Sequence, residues 1–261
     1  MAIGPEPNSA WFQMLRVQRA RGQWSGLNLE FDTTIMGFPE KMFVIGDIHG
    51  CRDKLHLLLD TIDPNPDRDQ LIFLGDYIDR GEDSRGVLDY LLQLKERYVD
   101  TVFLMGNHEK MFVDFLAGVD RALFIYNGGE STLRSYVERF DDAWHDVGRA
   151  SDDEILNALV PEYHRAFLHE LLPYYETENY IMVHAGLRHG IPLEQQSLED
   201  LVWIREDFIF SEEDFGKRVI FGHTPFVRPL VLPNKIGIDT GAVYGNSLTC
   251  LILPDLEFVS V

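Results

Sequence analysis

The sequence predicts an α/β fold, and three observations support this prediction. From Met42 onward, short apolar or β-branched runs alternate with segments of helical periodicity. Residues 84–98 carry their apolar side chains at a period of 3.6, as an amphipathic helix between two strands does. The 261 residues are 45% hydrophobic, which suffices for one domain with a sizeable core. Strand, helix and strand in this order form βαβ units, whose parallel strands hold ligands at their carboxyl ends.

The strand predictions follow the apolar runs in chain order. β-branched and aromatic residues are common in these runs, and turn-forming or polar residues bound them. We expect strands at residues 42–45, 70–74, 101–105, 180–183, 218–221, 235–238 and 248–253, with a last strand near 257–261.

Between about residues 110 and 175 the pattern becomes almost wholly helical. Ser131 and Ser151 each stand where a hydroxyl could cap the N-terminus of a helix. This stretch therefore predicts a helical insertion over one side of the core. It would lie within a single domain, residues 41–261, that follows an N-terminal extension, residues 1–40.

The N-terminal extension is basic and aromatic in its middle part. Residues 8–29 contain no acid, but they contain three arginines and two tryptophans. An amphipathic segment for a partner and a transit peptide both fit this composition. We favour an extension that packs its aromatic side chains onto the domain.

The charge balance argues against several classes of protein. Lysine and arginine number 23 against 43 aspartate and glutamate residues, so the formal net charge is −20. Such a surface repels phosphate backbones, which disfavours a general nucleic-acid binder. No run reaches the roughly 20 apolar residues of a membrane helix, and the N-terminus lacks the pattern of a signal peptide. We therefore expect a soluble, cytoplasmic protein without a membrane or nucleic-acid partner.

The two cysteines, Cys51 and Cys250, provide neither a disulfide framework nor a zinc motif.

Polar side chains follow five of the predicted strands directly, and glycine flanks them in each case. One or two such strand ends could arise by chance, but five on the same edge of a sheet indicate a functional site. The strand ends read, in chain order, GDIHG with Asp47 and His49, GDYIDRG with Asp76, Asp79 and Arg80, GNHE with Asn107, His108 and Glu109, HAG with His184, and GHTP with His223.

The residue types at these strand ends predict a dinuclear metal site. Carboxylate, imidazole and amide oxygen, without thiolate, suit Mn, Fe, Zn or Mg, and we expect two divalent ions per subunit with Mn favoured. A shared carboxylate would hold the ions roughly 3.5 to 4 Å apart, the spacing at which a bridging water ionises and attacks in line. The first ion would take Asp47, His49 and Asp76, and the second would take Asp76, Asn107, His184 and His223.

The remaining polar residues fit the other roles in phosphoryl transfer. His108 adjoins Asn107, so its imidazole should face the leaving group and act as general acid. Asp79 would accept a hydrogen bond from that imidazole and keep it charged. Arg80 and Arg205, together with the amide of Asn107, would contact the phosphate, because guanidinium groups stabilise charge on a phosphoryl group. These roles predict a phosphate ester as the substrate.

Taken in order, the motifs GDIHG, GDYIDRG, GNHE, HAGL, WIRE and GHTP resemble the signature of one family. This is the phosphoprotein phosphatase family, the serine/threonine phosphatases of the calcineurin-like metallophosphoesterase superfamily. The resemblance runs from Gly46 to about Gly245 and implies a four-layer α-β-β-α sandwich with a dinuclear site at the strand ends. It also implies the same ligands, the same acid with its supporting carboxylate, and the same pair of arginines as the residues themselves suggest.

Two departures from the family pattern bear on the branch. Pro225 stands where many broader relatives have a second histidine, which favours the protein-phosphatase branch. Residues 238–248 read IDTGAVYGNSL in place of the SAPNY loop of eukaryotic members, which indicates a bacterial or phage-type member. Within this segment, Tyr244 is expected either to reach the substrate, as an aromatic neighbour does in relatives, or to serve the turn alone.

These features favour a serine/threonine protein phosphatase, with phosphotyrosine or small phosphoesters as further substrates. The alternative is a symmetrical diadenosine tetraphosphate hydrolase, but such relatives usually lack the equivalent of Asp79 and read GNHD in place of GNHE. A third interpretation is an inactive phosphatase-like binding module. It would be marked by loss of a ligand, of His108 or of an arginine, and the sequence retains them all.

Overall fold

The computed structural model describes residues 39–98, 100–137 and 159–261. The N-terminal extension lies outside these residues except for its last two, and so does Ser151. All the elements below belong to one compact unit, Pro39–Val261. None of the helices in the described ranges has the length and apolar character that crossing a membrane requires.

The chain alternates strands and helices, as the sequence predicts for an α/β fold. The strands are β1 (Met42–Ile45), β2 (Gln70–Phe73), β3 (Val102–Phe103), β4 (Tyr174–Glu176), β5 (Tyr180–Val183), β6 (Arg218–Phe221), β7 (Leu230–Val231), β8 (Lys235–Gly237), β9 (Thr249–Leu253) and β10 (Glu257–Ser260). The α-helices are α1 (Arg52–Ile62), α2 (Ser84–Arg97), α3 (Asn107–Leu116), α4 (Arg121–Phe124), α5 (Glu130–Val137), α6 (Glu162–Glu170), α7 (Leu198–Trp203) and α8 (Glu206–Ile209). A π-helical turn (Ile125–Gly129) joins α4 to α5, and 3₁₀ turns lie at Leu193–Gln195 and Ala242–Tyr244.

The strands form two five-stranded mixed sheets. The first has the order β10–β9–β1–β2–β3, with β1, β2 and β3 parallel and with β9 and β10 added antiparallel. The second has the order β4–β5–β6–β8–β7, with β5, β6 and β8 parallel and with antiparallel edge strands. In each sheet, therefore, the central parallel strands present their carboxyl ends at the same edge.

The two sheets pack face to face, and alternate residues of their strands fill the space between them. This is expected, because successive side chains of a strand point to opposite faces. The residues of this inner core are Val44, Ile72, Leu74, Val102, Leu104, Met182, Ile220, Ile236, Ile238, Leu251 and Leu253.

The intervening strand residues face outward and pack against helices. Phe43 and Phe73, for example, share a core cluster with Leu58 of α1 and Leu91 of α2. On the second sheet, the ring of Phe221 makes an edge-to-face contact at 5.1 Å with Phe208 of α8. The architecture is the α-β-β-α sandwich that the family resemblance implies, so the predicted fold class is confirmed.

Two predicted details differ from the structure. The stretch predicted to be helical to residue 175 ends in a strand, because β4 pairs with β5 and places Tyr175 opposite Met182. Ser131 does not cap a helix, because α5 continues directly from the π-helical turn and has no free N-terminus there. Its hydroxyl donates instead to the carbonyl of Gly128 at 2.9 Å.

Candidate active site

The candidate site lies where the loops after β1, β2, β3, β5 and β6 meet. Five of its polar residues have left-handed backbones, with φ of 48° at His49, 52° at Asp76, 71° at Asp79, 68° at Arg80 and 62° at His223. Residues other than glycine are strained in this region of backbone conformation. Such strain is retained mostly where function requires it, so these conformations cluster at functional sites. Replacement of Gly75, which precedes Asp76, would strain the structure. Its φ is 105°, and a Cβ would lie 2.7 Å from the backbone nitrogen of Gly106.

A buried glutamate fixes the loop after β2. The carboxylate of Glu109 accepts the N–H groups of Asp76 and Tyr77, each at 2.8 Å, and that of Gly106 at 3.1 Å. The carbonyl of Asp76 in turn accepts the N–H of His49 at 2.8 Å, which joins the first two loops. This role of Glu109 was not predicted from the sequence. It could have been suspected from an acid in the first turn of α3 that directly follows two candidate site residues.

One group of donor atoms comprises His49, Asp76 and His108. The Nδ1–H of His49 donates to the carbonyl of Ile78 at 2.8 Å, so Nε2 keeps its lone pair and faces Oδ2 of Asp76 at 3.4 Å. Burial lowers the pKa of His49 to about 3, which keeps the imidazole neutral. A neutral imidazole with a fixed tautomer is the form that binds a metal ion.

A second group shares the same aspartate and adds His184 and His223. His184 is oriented by its Nδ1, which donates to the carbonyl of Leu74 at 2.9 Å, and its Nε2 lies 3.3 Å from Oδ1 of Asp76. The amide oxygen of Asn107 lies 3.1 Å from Nε2 of His184 and 2.9 Å from Nδ1 of His223. Imidazole, carboxylate and amide oxygen thus converge on one region.

Asp47 lies beside these groups but is not among the donors that lie within 4.8 Å of one another. Its carboxylate accepts the backbone N–H of His223 at 2.9 Å. Burial, followed by the charges of Asp239 and Asp76, raises the pKa of Asp47 well above its usual value. The predicted trio of Asp47, His49 and Asp76 is therefore less closely assembled than the group that contains His108.

Asp239 is a buried carboxylate of the site that the sequence analysis missed. It follows β8, accepts the N–H of Gly241 at 2.9 Å, and has its pKa raised to about 6 by burial. The run IDTG shows the same pattern as the five strand ends, a polar residue between an apolar strand and a glycine, and could have revealed it.

His108 and Asp79 form a close buried pair. Nδ1 of His108 lies 2.6 Å from Oδ2 of Asp79, and neither residue is exposed to solvent. Burial lowers the pKa of His108 to about 4 and raises that of Asp79 well above its usual value. Nε2 of His108 is buried, lacks a hydrogen-bond partner in the described part of the chain, and lies 4.0 Å from Oδ2 of Asp76.

The two arginines and Tyr244 complete the predicted set. Nη1 of Arg80 lies 2.6 Å from Nε2 of His49, and its guanidinium lies 5.8 Å from the ring centre of Tyr244, which is 59% exposed. After burial, the charge of Arg205 is among the causes that lower the pKa of His108 and of His223, which places Arg205 on the same side. Its guanidinium makes no hydrogen bond or ion pair with the described residues.

These donors fit two divalent cations. The two groups meet at Asp76, and the buried Nε2 atom of His223 has no hydrogen-bond partner among the described residues, which leaves it available to an ion. The nitrogen and oxygen donors, without a thiolate, suit Mn, Fe or Zn. The structure therefore brings together all the predicted metal-site residues, with Asp47 set slightly apart.

Comparisons with known proteins indicate the family of the chain. A family model described as calcineurin-like phosphoesterase matches residues 41–247. A bis(5'-nucleosyl)-tetraphosphatase PrpE, described as asymmetrical, from Oceanobacillus iheyensis is 30% identical over 244 residues, which are 85% of this chain and 92% of that protein.

Two solved structures share the fold. A protein described provisionally as a diadenosine tetraphosphatase has a TM-score of 0.62 at 22% identity, over 86% of this chain and 95% of that one. A cold-active protein-tyrosine phosphatase from a psychrophilic Shewanella species has a TM-score of 0.60 at 18% identity, over 92% of this chain and 84% of that one. At these identities the two structures support the fold alone.

Proposed function

The chain belongs to the calcineurin-like phosphoesterase family and is a phosphoesterase hydrolase, and from that premise we propose that it hydrolyses dinucleoside polyphosphates. The reaction would break a phosphoanhydride bond at the two donor groups that share Asp76. The observation that carries this proposal is the position of the Arg80 guanidinium, which lies 2.6 Å from Nε2 of His49 and 5.8 Å from the centre of the exposed Tyr244 ring. One such arrangement can bind a phosphate and stack a nucleobase.

The relative from Oceanobacillus iheyensis supports the regiochemistry of the proposal. It is described as asymmetrical, which for a chain of four phosphates means cleavage of an outer anhydride bond. Diadenosine tetraphosphate would then give AMP and ATP. A symmetrical enzyme would break the central bond and give two molecules of ADP.

Each residue of the site has a proposed task. When bound, two divalent ions would neutralise phosphate charge and activate the attacking water. Arg80 and Arg205 would hold the phosphate oxygens, and Asn107 would help to orient them. His108 would give its proton to the leaving oxygen through Nε2, supported by Asp79 through Nδ1.

The comparisons favour the alternative of the sequence analysis over its main interpretation. A serine/threonine protein phosphatase is not confirmed, because the similar relative is a dinucleoside tetraphosphatase. That relative is also asymmetrical, whereas the alternative anticipated symmetrical cleavage. The motifs could not discriminate these activities, because the same donors and arginines stabilise attack on a phosphate ester and on an anhydride.

Phosphomonoester hydrolysis is a second candidate, and one observation favours it. The 2.6 Å contact between His108 and Asp79 supports a strong proton donor. An alkoxide leaving group needs such a donor far more than a phosphate leaving group does, because the alkoxide is the stronger base.

Side-by-side kinetics test the proposal. The full chain with Mn²⁺ is assayed on diadenosine tetraphosphate, on a phosphotyrosine peptide and on a phosphoserine peptide. We expect the highest kcat/KM on the dinucleotide. Turnover of the peptides with none of the dinucleotide would overturn the proposal and establish the second candidate.

The Mn preference and the cytoplasmic location remain predictions. Metal analysis of the purified chain tests the first, and fractionation of the source cells tests the second.

A further inference from the structure

We propose that Thr132, on helix α5 of the insertion, is a positioning residue for the Asp79–His108 pair. Through Thr132, the transfer of a proton from His108 to a poor leaving group would depend on the helical insertion. This inference rests on the proposed hydrolysis at this site, but not on the choice between nucleotide and phosphoester substrates.

The hydroxyl of Thr132 contacts both the side chain and the backbone of Asp79. The Thr132 hydroxyl donates to Oδ1 of Asp79 at 2.5 Å and accepts the backbone N–H of the same residue at 2.9 Å. It also lies 2.9 Å from the hydroxyl of Ser84. Thr132, Ser84 and Asp79 are all fully buried, so no solvent competes for these bonds.

The Thr132 hydroxyl has one hydrogen and two lone pairs, so the same group can donate to Oδ1 of Asp79 and accept the Asp79 N–H. The Asp79 N–H also donates to the hydroxyl of Ser84 at 3.0 Å. Oδ1 of Asp79 is thereby occupied, and Oδ2 is the oxygen left to face Nδ1 of His108 at 2.6 Å. Without the Thr132 hydroxyl, the carboxylate could rotate and leave this contact.

The backbone at Asp79 needs such support. Asp79 and Arg80 are consecutive left-handed residues, with φ of 71° and 68°. Besides Thr132, the insertion holds this turn through the carbonyl of Gly128, which accepts the N–H of Arg80 at 3.2 Å. The supporting carboxylate and one phosphate-binding arginine are therefore both anchored from the same insertion.

The position of the Asp79–His108 pair affects how the leaving oxygen is protonated. The attacking water forms a new P–O bond, the bond to the leaving oxygen breaks with its electron pair, and that oxygen takes the proton from Nε2 of His108. The proton of the attacking water passes to solvent, from which His108 regains its own. A basic leaving oxygen requires the transfer, whereas a weakly basic one departs without it.

Aryl phosphates test the proposal, because their leaving groups vary while the phosphate stays the same. We expect Thr132→Val to lower kcat about tenfold or more on phenyl phosphate, and to change kcat less than about twofold on 2,4-dinitrophenyl phosphate. KM should stay near the wild-type value on both, since the arginines bind the phosphate. Thr132→Ala removes the same hydroxyl and is measured in parallel in case valine prevents folding.

Thr132→Ser and Ser135→Ala are the controls. The first keeps the hydroxyl and should retain wild-type selectivity between the two esters. The second removes a buried hydroxyl one turn further along α5, which donates to the carbonyl of Thr132 and does not contact Asp79. It should also leave the selectivity unchanged.

Three results would overturn the inference. They are an equal loss on both esters, no loss on either, or a loss in Thr132→Ser as large as in Thr132→Val. Aryl phosphates carry no nucleotide, so failure to hydrolyse the dinucleotide would refute the proposed function and leave this test intact.

Discussion

At the scale of single residues, the site depends on hydrogen bonds that fix the orientation of each donor. Backbone carbonyls accept Nδ1–H of His49 and of His184, so that Nε2 of both rings turns inward. His108 differs, because its Nδ1 contacts a carboxylate instead of a backbone carbonyl. Its Nε2 has no hydrogen-bond partner in the described part of the chain. This difference separates candidate metal ligands from a candidate acid.

The acid assignment predicts a large loss on substitution. His108→Asn should lower kcat on phenyl phosphate by about 10²-fold or more, the usual worth of a general acid, while the metal content stays the same. Steady-state kinetics and metal analysis of the same preparation measure both quantities. Unchanged turnover would refute the role of His108.

The buried Glu109 predicts a loss of stability. Glu109→Gln would turn an amide NH₂ group toward backbone N–H donors, so the free energy of unfolding should fall by about 2 to 4 kcal/mol. Denaturant unfolding measures the change. Glu130→Gln is the matched control, because Glu130 is 74% exposed and pairs with Arg134 on the surface. Equal stability of Glu109→Gln and the wild type would show that the carboxylate does not hold the loop.

Sequence reasoning at this scale found the residues whose pattern is local. Asp47, Asp76 and His184 each stand directly after an apolar run, so their placement could be predicted. Thr132 could not, because its role depends on Asp79, which lies 53 residues earlier in the chain. No spacing rule reports a contact over that distance.

At the scale of elements, the strands that could be predicted are those that coincide with an apolar run in the sequence. The four-residue strands β1, β5 and β6 have the predicted bounds, because their apolar residues mark them. The strands β4 and β7 were missed, although β8 and β3 are equally short and were predicted from the apolar residues around them. They form by pairing with β5 and with β8, which is a tertiary effect.

A buried lysine donates hydrogen bonds to backbone carbonyls at the C-terminal end of the short helix α8. Nζ of Lys235, in β8, donates to the carbonyls of Phe208 and Ser211 and lies 4.2 Å from the centre of the Phe208 ring. These carbonyls lie at the end of α8 and just after it, and Lys235 belongs to β8, so the lysine joins α8 to the second sheet.

Lys235→Met should therefore lower the free energy of unfolding by about 2 kcal/mol, because the carbonyls lose their donor while the apolar stem is kept. Lys41→Met, which breaks an exposed ion pair with Asp255, should change it by less than about 0.5 kcal/mol. Similar values for the two variants in thermal or denaturant unfolding would contradict the structural role of Lys235.

At the scale of the whole molecule, the sandwich brings distant motifs to one edge. The carboxyl ends of β1, β2 and β3 come from the first sheet, and those of β5 and β6 come from the second. The α/β class followed from the sequence pattern, and the packing of two sheets followed from the family resemblance. The net charge of −20 makes the two arginines of the site more important, because the rest of the surface repels an anionic substrate.

The same architecture predicts that metal links activity to stability. Exhaustive chelation should abolish turnover and lower the unfolding temperature, and Mn²⁺ should restore both, since an ion at a hundredfold excess over its Kd stabilises by about 2.7 kcal/mol. Full activity of a chain that holds less than one metal ion would refute the dinuclear assignment.

Product analysis in ¹⁸O-labelled water is the sharpest test of hydrolysis at an outer phosphoanhydride bond. We expect diadenosine tetraphosphate to give AMP and ATP in equal amounts, with one ¹⁸O atom in one of the two products. Labelled ADP as the product, or an unconverted dinucleotide in a preparation that hydrolyses a phosphopeptide, would contradict it.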